Sequence, residues 1–315
     1  MEKKLQNPIV ICVLALLCCA LWGSAFPCIK IGYEWMEIEG IGSQILFAGY
    51  RFFLSGVLTF ALGCLLERRI LRMKRENFGV IFRQGVLQTT IQYVCFYIGL
   101  AHTTGAKGSI INASNAFVSI VAAHYMIRSE RMTWKKGLGC ILGLAGVVLV
   151  NLEPGGFGGG FRFLGEGMVL LCTIAYGVST VLLKMISDRE SPMTITAYQT
   201  LIGSALLIVI GWLLHGDVGV FTWKSAALLF YMALLSTVAF SLWTLLLKYN
   251  PVGKVAVYGF TIPIFGVLLS GILLGETIFS VKYLAALLFV SGGVILVNRN
   301  DAGTQNRDDV SSRNR

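Results

Sequence analysis

Gly146-Val147-Val148-Leu149-Val150-Asn151 and Gly293-Val294-Ile295-Leu296-Val297-Asn298 are one apolar phrase written twice, 147 residues apart. The same offset carries Thr90 onto Thr237, Tyr93 onto Phe240, Phe96 onto Trp243 and Lys107 onto Lys254. Earlier in each half, Trp22-Gly23…Lys30 meets Tyr176-Gly177…Lys184 at an offset of 154, and Tyr50-Arg51 meets Tyr198-Gln199 at 148. Only the connecting loops change length, so the chain reads as five apolar segments duplicated. If each segment crosses a membrane, the odd number of crossings turns the second copy upside down relative to the first.

Composition supports crossing. Mean hydropathy is +0.74, with 56% hydrophobic and only 13% charged residues, against about 25% charged in soluble domains. This excludes an ordinary globular enzyme. Eight cysteines, Cys12, Cys18, Cys19, Cys28, Cys64, Cys95, Cys140 and Cys172, all lie in or beside apolar runs without a Cys-x-x-Cys pair. They read as small core residues, not as a disulfide framework or metal site. Lys3-Lys4 before the apolar run from Ile9 imitates a signal peptide, but an uncleaved first span is simpler because nine more apolar runs follow.

A span needs roughly 17–25 apolar residues. Ten candidates run 8–29, 43–66, 79–100, 107–127, 135–152, 164–184, 194–214, 225–247, 254–274 and 280–298. The expected fold is therefore an all-α integral membrane protein of ten transmembrane helices in two inverted five-helix repeats. The first repeat covers 1–152, a glycine-rich connector 153–163, the second repeat 164–298, and a disordered cytoplasmic tail 299–315. The longest other breaks are expected at Ile31–Gly42 and Glu67–Asn77.

Orientation follows from lysine and arginine, which favour cytoplasmic loops. With the N-terminus inside, 19 of the 26 basic residues fall on inner segments: those near Lys3, Arg68–Arg75, Arg128–Lys136, Lys184–Arg189, Lys248–Lys254 and the tail. Only Lys30, Lys107, Arg162, Lys224 and Lys282 fall outside, and Arg51 and Arg83 lie within spans. Both termini are expected in the cytoplasm, in the plasma (inner) membrane. The net charge of +10 is thereby explained without nucleic acid.

Local motifs add to the repeat: Trp22-Gly23-Ser24-Ala25-Phe26 in span 1, Tyr50-Arg51-Phe52 in span 2, Glu130-Arg131 after span 4, and Pro263 followed by Gly275-Glu276 in span 9. In this order they resemble the drug/metabolite transporter superfamily, specifically its EamA branch, over about residues 8–298. The resemblance implies a basket-like bundle around a central cavity near the bilayer midplane, lined by spans 1–4 and 6–9, with spans 5 and 10 peripheral. One departure is Ala116-Phe117, where the family usually has the proline that Pro263 supplies in the second half. Span 4 is therefore expected to be straighter. The inverted repeat independently places a site at the interface between the copies.

Enzyme signatures are absent: no His-Glu-x-x-His, no Gly-x-Ser-x-Gly, and no Lys-Ser/Thr after the glycine run 155–160. His102, His124 and His215 have no ligand spacing. All sixteen acidic residues lie in loops, tails or span ends, with Glu130 and Glu276 closing spans 4 and 9 and Glu166 opening span 6. A proton-coupled exporter of cations would bury a carboxylate. The pattern favours a neutral, zwitterionic or weakly anionic substrate, provided that Glu166 stays out of the cavity.

Arg51 is the charge plainly inside an apolar run. Fifteen residues before Leu66, it lies about 22 Å into a roughly 30 Å core, where insertion costs about 2.5–3.5 kcal/mol. It either snorkels to the nearby outer surface or pairs with a helix C-terminal carbonyl, or it contacts an anion or carboxylate at the cavity mouth. Uncharged polar and aromatic residues complete the candidate cavity: Trp22 in span 1; Gln88, Gln92 and Tyr93, on one face of span 3 with Phe96; Asn112 and Asn115 in span 4; Tyr176 in span 6; Tyr198 and Gln199 in span 7; Phe240 and Trp243 in span 8; Tyr258 in span 9. Each alone is as well explained by interhelical hydrogen bonding, worth about 0.6 kcal/mol; together they describe a wet pocket of amides and rings. Trp134, Trp223 and Tyr283 read as interface anchors. Lys107 and Lys254, which open equivalent spans on opposite faces, read as interfacial lysines or as anion attractors.

The expected function is export of small organic, amino-acid-like solutes by alternating access, with a small-molecule substrate and the lipid bilayer as partners and no cofactor. A nucleotide-sugar or phosphorylated-metabolite exchanger would require more cavity cations than Arg51. A non-transporting receptor, scaffold or membrane-embedded enzyme is the alternative from another class.

Overall fold

The computed structural model describes residues 2–102, 111–112, 114–151, 162–219 and 221–274, and isolated positions 285, 288–289, 291–293 and 295–296. Lys107, Tyr283, Gly275-Glu276, most of the connector, the tail and most of span 10 lie outside the described residues. The described chain is helical, without strands. Its long segments are α1 (Pro8–Trp35), α2 (Gly40–Glu67), α3 (Phe78–Gly85, a π-helical turn Val86–Ile91, then Gln92–His102), α4 (Asn115–Met126), α5 (Trp134–Asn151), α6 (Phe163–Ile186), α7 (Pro192–Leu213), α8 (Trp223–Tyr249) and α9 (Val252–Leu274). Six of them, α1, α2, α6, α7, α8 and α9, are long and apolar enough to cross a membrane.

Helix starts are set by local chemistry. Asn7 caps α1, its side chain accepting from Ile9 N at 2.9 Å, with Pro8 in the first turn, where its missing N–H does no harm. Ser191 and Pro192 repeat the device on α7. Thr222 and Ser225 form a reciprocal capping box on α8. The break expected at Ile31–Gly42 is shorter, only Met36–Glu39. The helix continues through Trp35 and closes as Ile38 N donates to Tyr33 O at 2.9 Å.

α2 and α7, which carry the equivalent Tyr50 and Tyr198, run antiparallel in close contact. Gly42, Gly49, Gly56 and Gly63 recur every seventh residue on α2 and face Leu214, Ile208, Leu201 and Met193 on α7 in turn. A seven-residue period keeps one stripe on a partner helix. Without side chains on that stripe the backbones close up, which is how helices associate in lipid. Further contacts between the halves come in equivalent pairs. α1 runs antiparallel to α8, through Cys18–Ala239 and Ser24–Tyr231, as α6 does to α3, through Ser179–Gln84. α1 also lies parallel to α9, through Cys19–Tyr258, as α6 does to α4, through Thr173–Ile111.

Clusters of arginine and lysine, Arg68–Arg75, Arg128–Lys136, Lys184–Arg189 and Lys248–Lys254, gather at one end of the bundle, here called the basic end. Large apolar side chains such as Ile9, Val57, Ile141, Val209 and Ile272 are exposed on the outside, as a lipid-facing surface requires. Trp134 and Trp223 are 84% and 87% exposed, in keeping with interface anchors. Lys254, in the first turn of α9 at the basic end, is largely buried, at 9% exposure.

Candidate functional site

The midpoints of α1, α6 and α9 meet at Trp22, Tyr176 and Ile262. A small cavity of about 50 Å³ opens there, also lined by Ala25, Phe26 and Ile29 of α1, Arg51 of α2, Gln92, Tyr93 and Phe96 of α3, and Asn112 and Asn115. Most of these lie on the side of the midpoints away from the basic end. The volume holds about four waters, so a metabolite could be accommodated only by parting the helices.

An interrupted helix flanks this space. In α9 a 3-10 stretch, Val257–Thr261, separates Val252–Ala256 from Ile262–Leu274. At the equivalent place before α4, Ser114 N donates to Ile111 O at 3.0 Å, and α4 proper begins at Asn115. The expected straighter span 4 falls on residues that lie partly outside the described ones.

The cavity walls are aromatic. Trp22 packs edge-on against Tyr176 at 6.2 Å and Trp243 at 4.9 Å, and tilted against Phe240 at 5.7 Å. Phe26 meets Phe96 at 5.6 Å. Phe240 and Trp243, on the half of α8 nearer the basic end, close the floor beneath Trp22. Within the lining, Trp22 Nε1, Tyr176 OH and Gln92 Oε1 are buried without a hydrogen-bond partner among the described residues. Trp243 Nε1 is in the same condition. A buried polar atom left unpaired typically costs about 1–3 kcal/mol, so these groups are held ready for a ligand or water.

Arg51 does not snorkel. It is 2% exposed. Its Nε donates to Met232 O at 3.3 Å, Nη1 to Tyr97 OH at 3.2 Å and Nη2 to Ser236 Oγ at 2.9 Å, with Phe52 beneath it at 4.8 Å. Each partner is neutral.

Of the candidates, Trp22, Arg51, Gln92, Tyr93, Asn112, Asn115 and Tyr176 line the cavity together, and Phe240 and Trp243 adjoin it. Tyr258 is buried in the 3-10 stretch, its carbonyl accepting from Cys19 Sγ at 3.2 Å. Gln88 is drawn away by Gln84, whose Nε2 donates to it at 2.6 Å. Gln199 lies against Gly85. Tyr198 is displaced farthest: its hydroxyl donates to Leu71 O at 3.1 Å and its ring meets Phe60. Helical phase explains this, since Tyr198 stands on the opposite side of α7 from the Gly203–α3 contact. Glu166 stays out of the cavity, its Oε2 accepting from Arg162 N at 2.9 Å. No group of three metal-binding side chains occurs among the described residues.

Ala25, Phe26, Ile29 and Ile262 were not among the expected cavity residues. For the first three, the spacing from Trp22, at i+3, i+4 and i+7 on α1, was the available signal; Ile262, on α9, carried none.

Below the floor, the basic end is tied shut. Glu130, after α4, accepts from Val252 N at 2.8 Å and Gly253 N at 3.3 Å, holding the first turn of α9. Lys184 Nζ donates to Lys248 O at 3.1 Å. Glu190 accepts from Lys74 N and Asn77 Nδ2, both at 2.9 Å.

Comparison with known proteins agrees with this architecture. An uncharacterized transporter of Bacillus subtilis, YvbV, is 26% identical over 282 residues, 88% of each chain. A probable terminal-alkyne amino-acid exporter of Streptantibioticus cattleyicolor is 22% identical, covering 90% of this chain and 91% of its own. A crystal structure matches with a TM-score of 0.74 at 17% identity, over 90% of this chain and 94% of that one, a likeness of fold. The profile of the EamA-like transporter family matches residues 9–152 and 163–299, and the chain belongs to that family.

Proposed function

We propose that this chain exports small, amino-acid-like, neutral or zwitterionic solutes across the cytoplasmic membrane by alternating access, as two inverted five-span repeats with both termini in the cytoplasm. The observation that carries the reading is the aromatic and amide cavity where the midpoints of α1, α6 and α9 meet, with Trp22, Phe240 and Trp243 packed on its side toward the basic end. Antiparallel packing of α2 on α7 supports the inversion, and the basic loops support the orientation. In that orientation the basic end faces the cytoplasm, and this is the state closed to it. The amino-acid exporter among the similar proteins supports the substrate class.

Liposomes reconstituted with the protein are expected to take up labelled amino acids or related metabolites above the rate of empty vesicles. Trp243→Ala, which removes the floor, and Asn112→Ala, which removes a lining amide, are each expected to lower that flux at unchanged protein yield. Absence of flux for every solute class would defeat the reading. Thiol labelling of cysteines placed in 153–163 and in the tail tests the inversion, because the two segments should react from opposite sides.

A further inference from the structure

We infer that Arg51 is the counter-ion site for a carboxylate on the solute; this rests on the transport reading above. A guanidinium carries five N–H donors. Three are used by Met232 O, Tyr97 OH and Ser236 Oγ, and two have no acceptor among the described residues. No acidic side chain pairs with it there. A buried charge surrounded only by neutral partners is penalised by desolvation by several kcal/mol, and the missing negative charge is most economically supplied by whatever fills the cavity that Arg51 lines.

The rest of the lining agrees. Trp22 Nε1, unpartnered among the described residues, and the buried hydroxyl of Tyr176 can donate toward an anion. Gln92 Oε1 is the unpartnered acceptor, suited to one amine or hydroxyl on the same solute. Ala25, Phe26, Ile29, Phe96 and Ile262 supply an apolar wall for a compact apolar or ring-bearing body once the helices part to admit it. Among the described residues no carboxylate lines the cavity to receive a net cation. The position equivalent to Arg51 in the second half is Gln199, buried away from the cavity. Among the described residues the charge is therefore provided once, as a monocarboxylate requires; a phosphate dianion would call for more.

Three probes with the same ring separate charge from shape: 3-phenylpropionate, 3-phenylpropionamide and 3-phenylpropylamine. Binding to the purified protein in neutral-lipid nanodiscs is read by tryptophan fluorescence. The propionate is expected to bind at least about tenfold more tightly than the amide, the scale of a charge-assisted hydrogen bond, with the amine weakest. Arg51→Gln should bring the propionate down to the level of the amide, and Arg51→Lys should keep part of the preference. Ser236→Ala, which keeps the charge but frees its fork, should reduce the preference by a few-fold and serves if Arg51→Gln does not fold. A purely structural arginine would leave the propionate-to-amide ratio unmoved. Equal affinity for propionate and amide, a preference that survives in Arg51→Gln, or no response to any probe would each overturn the assignment. Metabolite flux without a carboxylate preference would remove the Arg51 site and leave transport standing. Carboxylate binding without flux would do the reverse.

Discussion

Gly49→Leu or Gly211→Leu is expected to abolish recovery of folded, monodisperse protein from detergent. A Cβ on Gly49 would stand 2.8 Å from Ile208 Cγ1 and 3.0 Å from Ile208 N; one on Gly211 would stand 2.8 Å from Leu46 Cβ and 2.9 Å from Leu46 N. A side-chain end can swing aside, but a backbone nitrogen inside a helix cannot, so α2 and α7 would have to separate. Overpacking a tight interior costs typically about 1–3 kcal/mol, and a leucine pushed between two backbones lies at the top of that range. In lipid the loss is not recovered elsewhere, because helices associate through close packing and not by escaping water. Gly79→Leu is the control: nothing lies within 4 Å of a Cβ there, and folding should be unchanged. Normal size-exclusion profiles and thermal midpoints for the two interface variants would show that α2–α7 contact does not hold the halves together.

That interface explains why the fold was more legible in the sequence than the site. The apolar runs and the 147-residue offset depend on composition and length, which each helix carries by itself. The glycine period of seven on α2 was equally visible but says nothing of its partner until α7 is found against it. Cavity residues depend on phase and depth together. Trp22, Gln92, Asn112 and Tyr176 combined a polar or aromatic side chain with mid-span depth, so chemistry alone singled them out. Phe26, Ile29 and Ile262 look like any lipid-facing residue until their helix is rotated into place. Tyr198 had the right chemistry but lies nearer the basic end than the cavity does, where its hydroxyl reaches Leu71 O. Arg51 was legible as an anomaly. That it would be satisfied by three neutral acceptors on α3 and α8, and not by the membrane surface, required the packing of those helices to be known.

Glu130→Ala is expected to open the basic end. The carboxylate holds Val252 N and Gly253 N, the first donors of α9, which have no partner inside their own helix. Just beyond them, the 3-10 stretch Val257–Thr261 interrupts the helix, and such stretches often mark hinges. The short segment Val252–Ala256 is thus fixed at one end by Glu130 and joined at the other to the 3-10 stretch, where a pivot is expected. Removing charge-assisted bonds of this kind costs about 1.5–3 kcal/mol, which would raise the open population by roughly tenfold to a hundredfold. The readout is a cysteine at Val255, fully buried here, reacting with an impermeant maleimide applied from the basic end and measured above the background of the native thiols. Labelling should rise in Glu130→Ala and less in Glu130→Gln, which keeps a carbonyl acceptor for one of the two N–H groups. Thermal stability alone cannot decide the matter, since losing a helix cap lowers it whether or not a gate moves. Unchanged labelling in both variants would leave Glu130 as an ordinary cap. Increased labelling that a bound carboxylate solute then modulates would tie the latch to the cavity above it, because a ligand shifts a two-state equilibrium only by binding one state better.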